Sequence, residues 1–103
     1  MEEKPGVNAI YFRGYILIRL KIIGTQLKVL EKVKELKSIS PDEDWEITYA
    51  TPLYGAWDFL VECVFSDLID MEKIISFFRN DEELKQWVEA TTTLIGLRKD
   101  YNL

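Results

Sequence analysis

Residues 87 to 98, WVEATTTLIGLR, place three consecutive threonines between apolar neighbours. β-Branched side chains suit the pleated surface of a sheet, where their restricted rotamers cost little. The run therefore reads as a final strand, and the elements upstream decide which fold it completes. Just before it, Met71, Ile74, Ile75 and Phe78 recur at helical spacing, with Asp67 or Asp70 placed to cap the segment. Arg79-Asn80-Asp81 breaks that helix before a further turn through Leu84.

Further upstream lie two strand-like runs, Trp45 to Thr51 (WEITYAT) and Ala56 to Phe65 (AWDFLVECVF), joined across Pro52 to Gly55 as a hairpin. The turn-rich loop Ser38 to Asp44 precedes them. Before it, Val29, Leu30, Val33 and Leu36 mark an amphipathic helix that Thr25 can cap and that ends near Ser38. The first strand is Tyr15 to Ile23 (YILIRLKII), closed by Gly24. The order is βαββαβ, an α+β ferredoxin-like plait with both helices on one face of an antiparallel sheet. Right-handed crossovers predict strand one between strands three and four, with strand two at an edge. Residues 1–14 read as an N-terminal extension, 15–98 as the domain and 99–103 as a C-terminal tail.

The face without helices is informative. Ile16, Ile18, Leu20 and Ile22 fill one side of strand one, against Tyr15, Leu17, Arg19 and Lys21; Trp57, Phe59, Val61, Cys63 and Phe65 oppose Asp58, Leu60, Glu62 and Val64. Both sides carry large apolar groups, whereas a water-facing side would be polar. A homodimer joined through its sheet faces is expected, with Arg19 and Glu62 as a cross-strand pair, either partly buried there or at the surface.

Composition narrows the chemistry. At 103 residues, 48% of them hydrophobic and 30% charged, the chain is one globular domain. A net charge of −5 opposes phosphate backbones, so direct nucleic-acid binding is not expected. Lys28, Lys32, Lys34 and Lys37 interleave with Glu31 and Glu35 as a solvated helix face. No histidine is present, which removes the usual triads and zinc constellations, and no catalytic residue is nominated. Asp42, Glu43, Asp44 and Glu46 lack a cation-binding consensus and read as an acidic loop, leaving no metal site or cofactor. The five glycines are isolated, so no phosphate-binding loop exists. Cys63, the only cysteine, alternates with Val61 and Phe65 as a small core residue. The RNP1 consensus of an RNA-recognition motif is missing from AWDFLVECVF. With no signal core and no run long enough to span a bilayer, a cytoplasmic location without membrane contact is expected.

What remains are hydroxyls, aromatics and carboxylates in Tyr54-Gly55-Ala56-Trp57-Asp58 and Thr91-Thr92-Thr93, groups able to orient a small polar ligand. Each also has a structural use: Gly55 in a turn, Trp57 in the core, Asp58 at a strand end, the threonines as strand formers.

Tyr49-Ala50-Thr51, then Gly55-Ala56-Trp57-Asp58, then Val88-Glu89-Ala90-Thr91-Thr92-Thr93-Leu94-Ile95 resemble the effector-binding domain of the Lrp/AsnC regulators, the RAM domain, over about Tyr15 to Leu97. The matched positions are Gly55, Trp57 and Asp58 at the hairpin and Val88, Thr91, Thr93, Ile95 and Leu97 in the last strand. The resemblance implies dimeric α/β barrels joined sheet to sheet, further assembly into rings, and an amino acid or related metabolite bound where dimers meet. It nominates Gly55, Trp57, Asp58, Thr91 and Thr93 as ligand-proximal, with Tyr54 and Thr92 beside them. The fourteen residues before strand one are too few for a helix-turn-helix domain, so the expectation is a stand-alone, non-catalytic effector module that could also join full-length Lrp/AsnC-type regulators. Two alternatives stay open: a structural or partner-binding dimer without ligand, and a small dimeric α/β-barrel enzyme such as a cofactor-independent monooxygenase.

Overall fold

Seven elements follow one another in the computed structural model, which describes residues 11–36 and 43–96: β1 (Phe12–Leu20), α1 (Gln26–Lys34), β2 (Trp45–Pro52), β3 (Phe59–Phe65), α2 (Leu68–Asn80), α3 (Leu84–Trp87) and β4 (Val88–Ile95). The strands form one antiparallel sheet in the order β2-β3-β1-β4, so the plait and its central first strand are as the sequence predicts. Leu97, Arg98, the 99–103 tail, Asp42 and Lys37 lie outside the described residues, as do most of the N-terminal extension and of the Ser38–Asp44 loop.

β1 lies three residues upstream of its expected span. Gly14 allows this: a Cβ there would sit 3.0 Å from the Phe65 ring and 3.1 Å from Met71 Sδ, so only a bare backbone fits beneath them. At the other end, Ile22 and Ile23 leave the sheet and are exposed, because the chain turns at Gly24 (φ +95°) into α1. Thr25 occupies the N-cap position of α1, but its hydroxyl donates to the Ile22 carbonyl at 2.8 Å and closes the turn instead of accepting from the helix.

Asp67, not Asp70, caps α2, accepting from Ile69 N at 3.1 Å. Asp70 is buried one turn in and accepts from Asp44 N at 3.4 Å. Asp81 ends α2 and its carboxylate accepts from Glu83 N and Leu84 N, both at 3.1 Å, which starts α3. α3 takes Trp87 out of the last strand.

Ile16, Ile18, Phe59, Val61, Cys63 and Phe65 form the sheet side of the core, and Val29, Val33, Met71, Ile74, Phe78 and Leu84 the helix side, all essentially inaccessible to water. Each large apolar group sealed this way contributes roughly 1.5–3 kcal/mol of transfer free energy. The Cys63 thiol is pushed up to about 12, first by burial and then by the charge of Glu62, which fits a packed core group and not a nucleophile.

The lysine face of α1 differs from expectation. Lys32 turns away from Glu31 and Glu35 toward Glu83 Oε1 at 2.9 Å and Asp81 Oδ2 at 3.6 Å, fastening α1 to the start of α3. The Glu83 hydrogen bond raises its ammonium pKa above the ordinary value.

Candidate functional site

The connection between β2 and β3 is longer than the sequence indicates, because β3 begins at Phe59 and not at Ala56. Main-chain bonds pin its base: Leu53 N donates to Asp58 O at 2.9 Å, and Asp58 N to Ile18 O at 2.8 Å. Asp58 Oδ2 then accepts from Leu20 N at 2.8 Å, replacing the ladder bond that β3 stops providing at the end of β1. Asp58 thus ties the hairpin to the central strand from two atoms.

At the tip, Gly55 adopts φ +144°, a conformation that L side chains rarely take, and Tyr54 is fully exposed. Trp57 is half-buried, with the Arg19 guanidinium 4.7 Å from its ring centroid. Arg19 also donates from an Nη to the Ala56 carbonyl at 3.3 Å. The expected Arg19–Glu62 pair does not form. The register sets Glu62 opposite Tyr15 and carries Arg19 beyond the end of β3, where it meets the hairpin. Glu62 instead accepts from Thr48 Oγ1 at 2.7 Å and lies 3.8 Å from Arg13.

The three threonines part company. Thr91 and Thr93 pair with the buried Ile18 and Ile16 and face the helices, while Thr92 pairs with Leu17 on the open side and is exposed. Thr91 lines a surface cleft of about 410 Å³ with Phe78, Arg79, Lys85, Val88, Glu89 and Ala90. A second cleft of about 580 Å³ runs along α2 from Ile69 to Asp81 and includes Glu43 and Lys73. Neither is lined by the hairpin. The structure therefore gathers Tyr54, Gly55, Trp57 and Asp58 at one end of the sheet, sets Thr92 on the open face, and holds Thr91 and Thr93 beneath the helices.

Arg19 is the residue that sequence reasoning misplaced. Its signal was a lone cation near the end of the otherwise apolar run YILIRL, a charge that must meet something at the rim. In the acidic loop, Glu43 pairs with Lys73 at 3.0 Å and accepts from Trp45 Nε1 at 3.1 Å, while Asp44 accepts from the Tyr11 hydroxyl at 3.1 Å. These carboxylates fasten the start of β2. Among the described residues no group of three or more His, Cys, Asp or Glu side chains could hold a metal ion, and no helix is long and apolar enough to cross a membrane.

No protein-family model matches this sequence, and no curated protein matches it significantly. Solved structures do match. Escherichia coli AsnC aligns with a TM-score of 0.70 at 18% identity, over 100% of this chain and 62% of that one. FFRP-DM1 gives 0.57 at 22% identity, over 84% and 99%. The transcriptional regulator NMB0573 of Neisseria meningitidis, solved as a complex with L-Met, gives 0.61 at 17% identity, over 99% and 60%. The chain thus spans less than two thirds of AsnC and of the Neisseria regulator, and nearly all of FFRP-DM1. The likeness establishes the fold, one shared with regulators of the Lrp/AsnC family.

Proposed function

We propose that this chain is a non-catalytic regulatory module that binds an amino acid or related metabolite beside the β2–β3 hairpin and self-associates through its open sheet face. The observation that carries the reading is the bond from Leu20 N to Asp58 Oδ2. It holds a polar and aromatic hairpin rigidly against the central strand, and preorganised groups bind at lower entropic cost. The Neisseria regulator of the same fold, solved with L-Met, supports an amino acid as the ligand class.

Self-association is supported by the open face, where Tyr49 and Leu94 are more than half exposed and Tyr15, Leu17 and Leu60 are half-buried. A second copy covering that face would remove these groups from water, and a full-length regulator of the same fold could take its place in mixed oligomers. The module acts without cofactor, membrane or direct nucleic-acid contact and belongs in the cytoplasm, consistent with a net charge of −5.

Calorimetric titration of the full chain with the common L-amino acids, paired with sedimentation velocity, tests both halves. Saturable heat with at least one amino acid and a dimer or larger species are expected. A monomer that binds none of them would overturn the proposal. A dimer that forms with no thermal shift from any amino acid would instead identify a partner-binding module, the reading that the exposed Tyr49 and Leu94 favour by themselves.

A further inference from the structure

The base and the tip of the β2–β3 hairpin are held by different means. Main-chain bonds at Leu53 and Asp58, and the bond from Leu20 N to Asp58 Oδ2, fix the base. The tip, residues 54–57, has much less. Tyr54 is fully exposed, a side chain at Gly55 would meet open space, and Trp57 is half-buried but outside the hydrophobic core. Among the described residues one hydrogen bond reaches the tip, from an Arg19 Nη to the Ala56 carbonyl at 3.3 Å. The same guanidinium stands 4.7 Å from the Trp57 ring centroid. Arg19 is thus the tether of the tip.

That tether starts from the open face. Arg19 and Leu17 lie two residues apart along β1, so their side chains leave the same side of the sheet about 7 Å from each other. Leu17 pairs with Leu60 on the face that a second copy would cover. An exposed arginine samples many rotamers, and holding one of them against Trp57 has an entropic cost. A copy seated over Leu17 and Leu60 leaves Arg19 less room, so part of that cost is already met and the stacked rotamer is favoured. Withdrawing water from the ring also strengthens its attraction for the cation. Arg19 lies beyond the last β3 partner of β1, at the rim, where its outer donors can keep their water.

We infer that Arg19 is the positioning residue of the hairpin tip and that it links the tip to self-association. In the monomer the tip moves about a fixed base; in the dimer the confined Arg19 holds Trp57 and Ala56 in one place. The inference rests on the self-association half of the proposed function and adds regulation to the ligand-binding half, since a site beside the hairpin is then complete only in the assembled form. Linkage runs both ways, so whatever loosens the tether also weakens the dimer.

The test is amide hydrogen exchange at Gly55, Ala56 and Trp57, followed by NMR on the full chain while sedimentation velocity reports assembly. The monomer is reached by dilution or by Leu94→Glu. Leu94 is exposed on the same face and pairs with Tyr15, four residues along β1 from Arg19 or about 13 Å away. Tip exchange is expected to be about tenfold slower in the dimer than in the monomer. Arg19→Met, compared where it is still dimeric, restores fast tip exchange while the Leu20 amide stays protected, and its dimer dissociates at several-fold higher concentration. Arg19→Lys, which keeps the cation without the planar fork, shows part of each effect. Equal tip exchange in dimer and monomer overturns the link and leaves self-association standing. Faster exchange at Leu20 as well as at the tip in Arg19→Met identifies general destabilisation and overturns the positioning role. A wild-type chain that is monomeric at every concentration removes the self-association reading and the link with it. Should Arg19→Met fail to fold, the comparison of dimer with monomer decides.

Discussion

Leu20 donates its backbone N–H to Asp58 Oδ2 at 2.8 Å, so one side chain of the hairpin closes the hydrogen bonding of the sheet's central strand. A charge-assisted bond of this kind contributes about 1.5–3 kcal/mol, and removing the acceptor leaves Leu20 N–H unpaired. Asp58→Ala is expected to lower unfolding stability by that amount in urea denaturation. Asp58→Asn, which retains an acceptor oxygen, recovers at least half of it. Equal stability of Asp58→Ala and the wild type would show that water replaces the carboxylate without cost.

Gly14→Ala tests the close approach of β1 to α2. The added methyl meets Phe65 Cε1 at 3.0 Å and both Met71 Sδ and Cε within 3.2 Å, so the core must shift. Overpacking of this kind costs about 1–3 kcal/mol, despite the better strand propensity of alanine. Pairing it with Met71→Val should return part of the loss, measured as a coupling in a double-mutant cycle.

Cys63 gives a pH dependence of definite sign. Its thiol stays protonated in the folded chain up to about 12, against an ordinary value of 9.0. Between those values the unfolded chain holds fewer protons than the folded one, so stability falls as pH rises, by about 1.4 kcal/mol per pH unit for this group. Below pH 9.0 the group adds no pH dependence. The difference in unfolding free energy between wild type and Cys63→Ala should be flat below that point and shrink above it. At neutral pH the native thiol should resist iodoacetamide and react only on unfolding.

Asp81 joins two helices by receiving the first N–H groups of α3 while ending α2. Asp81→Ala should cost about 1 kcal/mol, the usual loss for a capping side chain, and Asp81→Asn much less. Hydrogen exchange at Glu83 and Leu84 is the local readout. Protection there that survives Asp81→Ala would show that the buried Leu84 alone holds α3 in place.

The plait was legible because its signals are local. Alternation in YILIRL and LVECVF, helical spacing in α1 and α2, and threonines in β4 each name an element, and crossover handedness then orders the strands. The register of β1 against β3 was not legible, since these strands are distant in sequence and no local signal in either one fixes it. That register sets Glu62 opposite Tyr15 and leaves Arg19 beyond Phe59, where it meets Trp57. Lys32 was misread for a related reason: its partners Asp81 and Glu83 are distant in sequence and meet it only once α3 forms.

The alternation of Thr91, Thr92 and Thr93 across β4 places unequal constraints on three identical residues. Thr91 and Thr93 answer to packing under the helices, so their replacements are screened by folding. Thr92 answers only to what meets the open face, and a substitution there alters that contact surface while the core stays untouched. Three identical neighbours are therefore not interchangeable: the outer two hold the sheet to the helices, and the middle one belongs to the face that a second copy would cover.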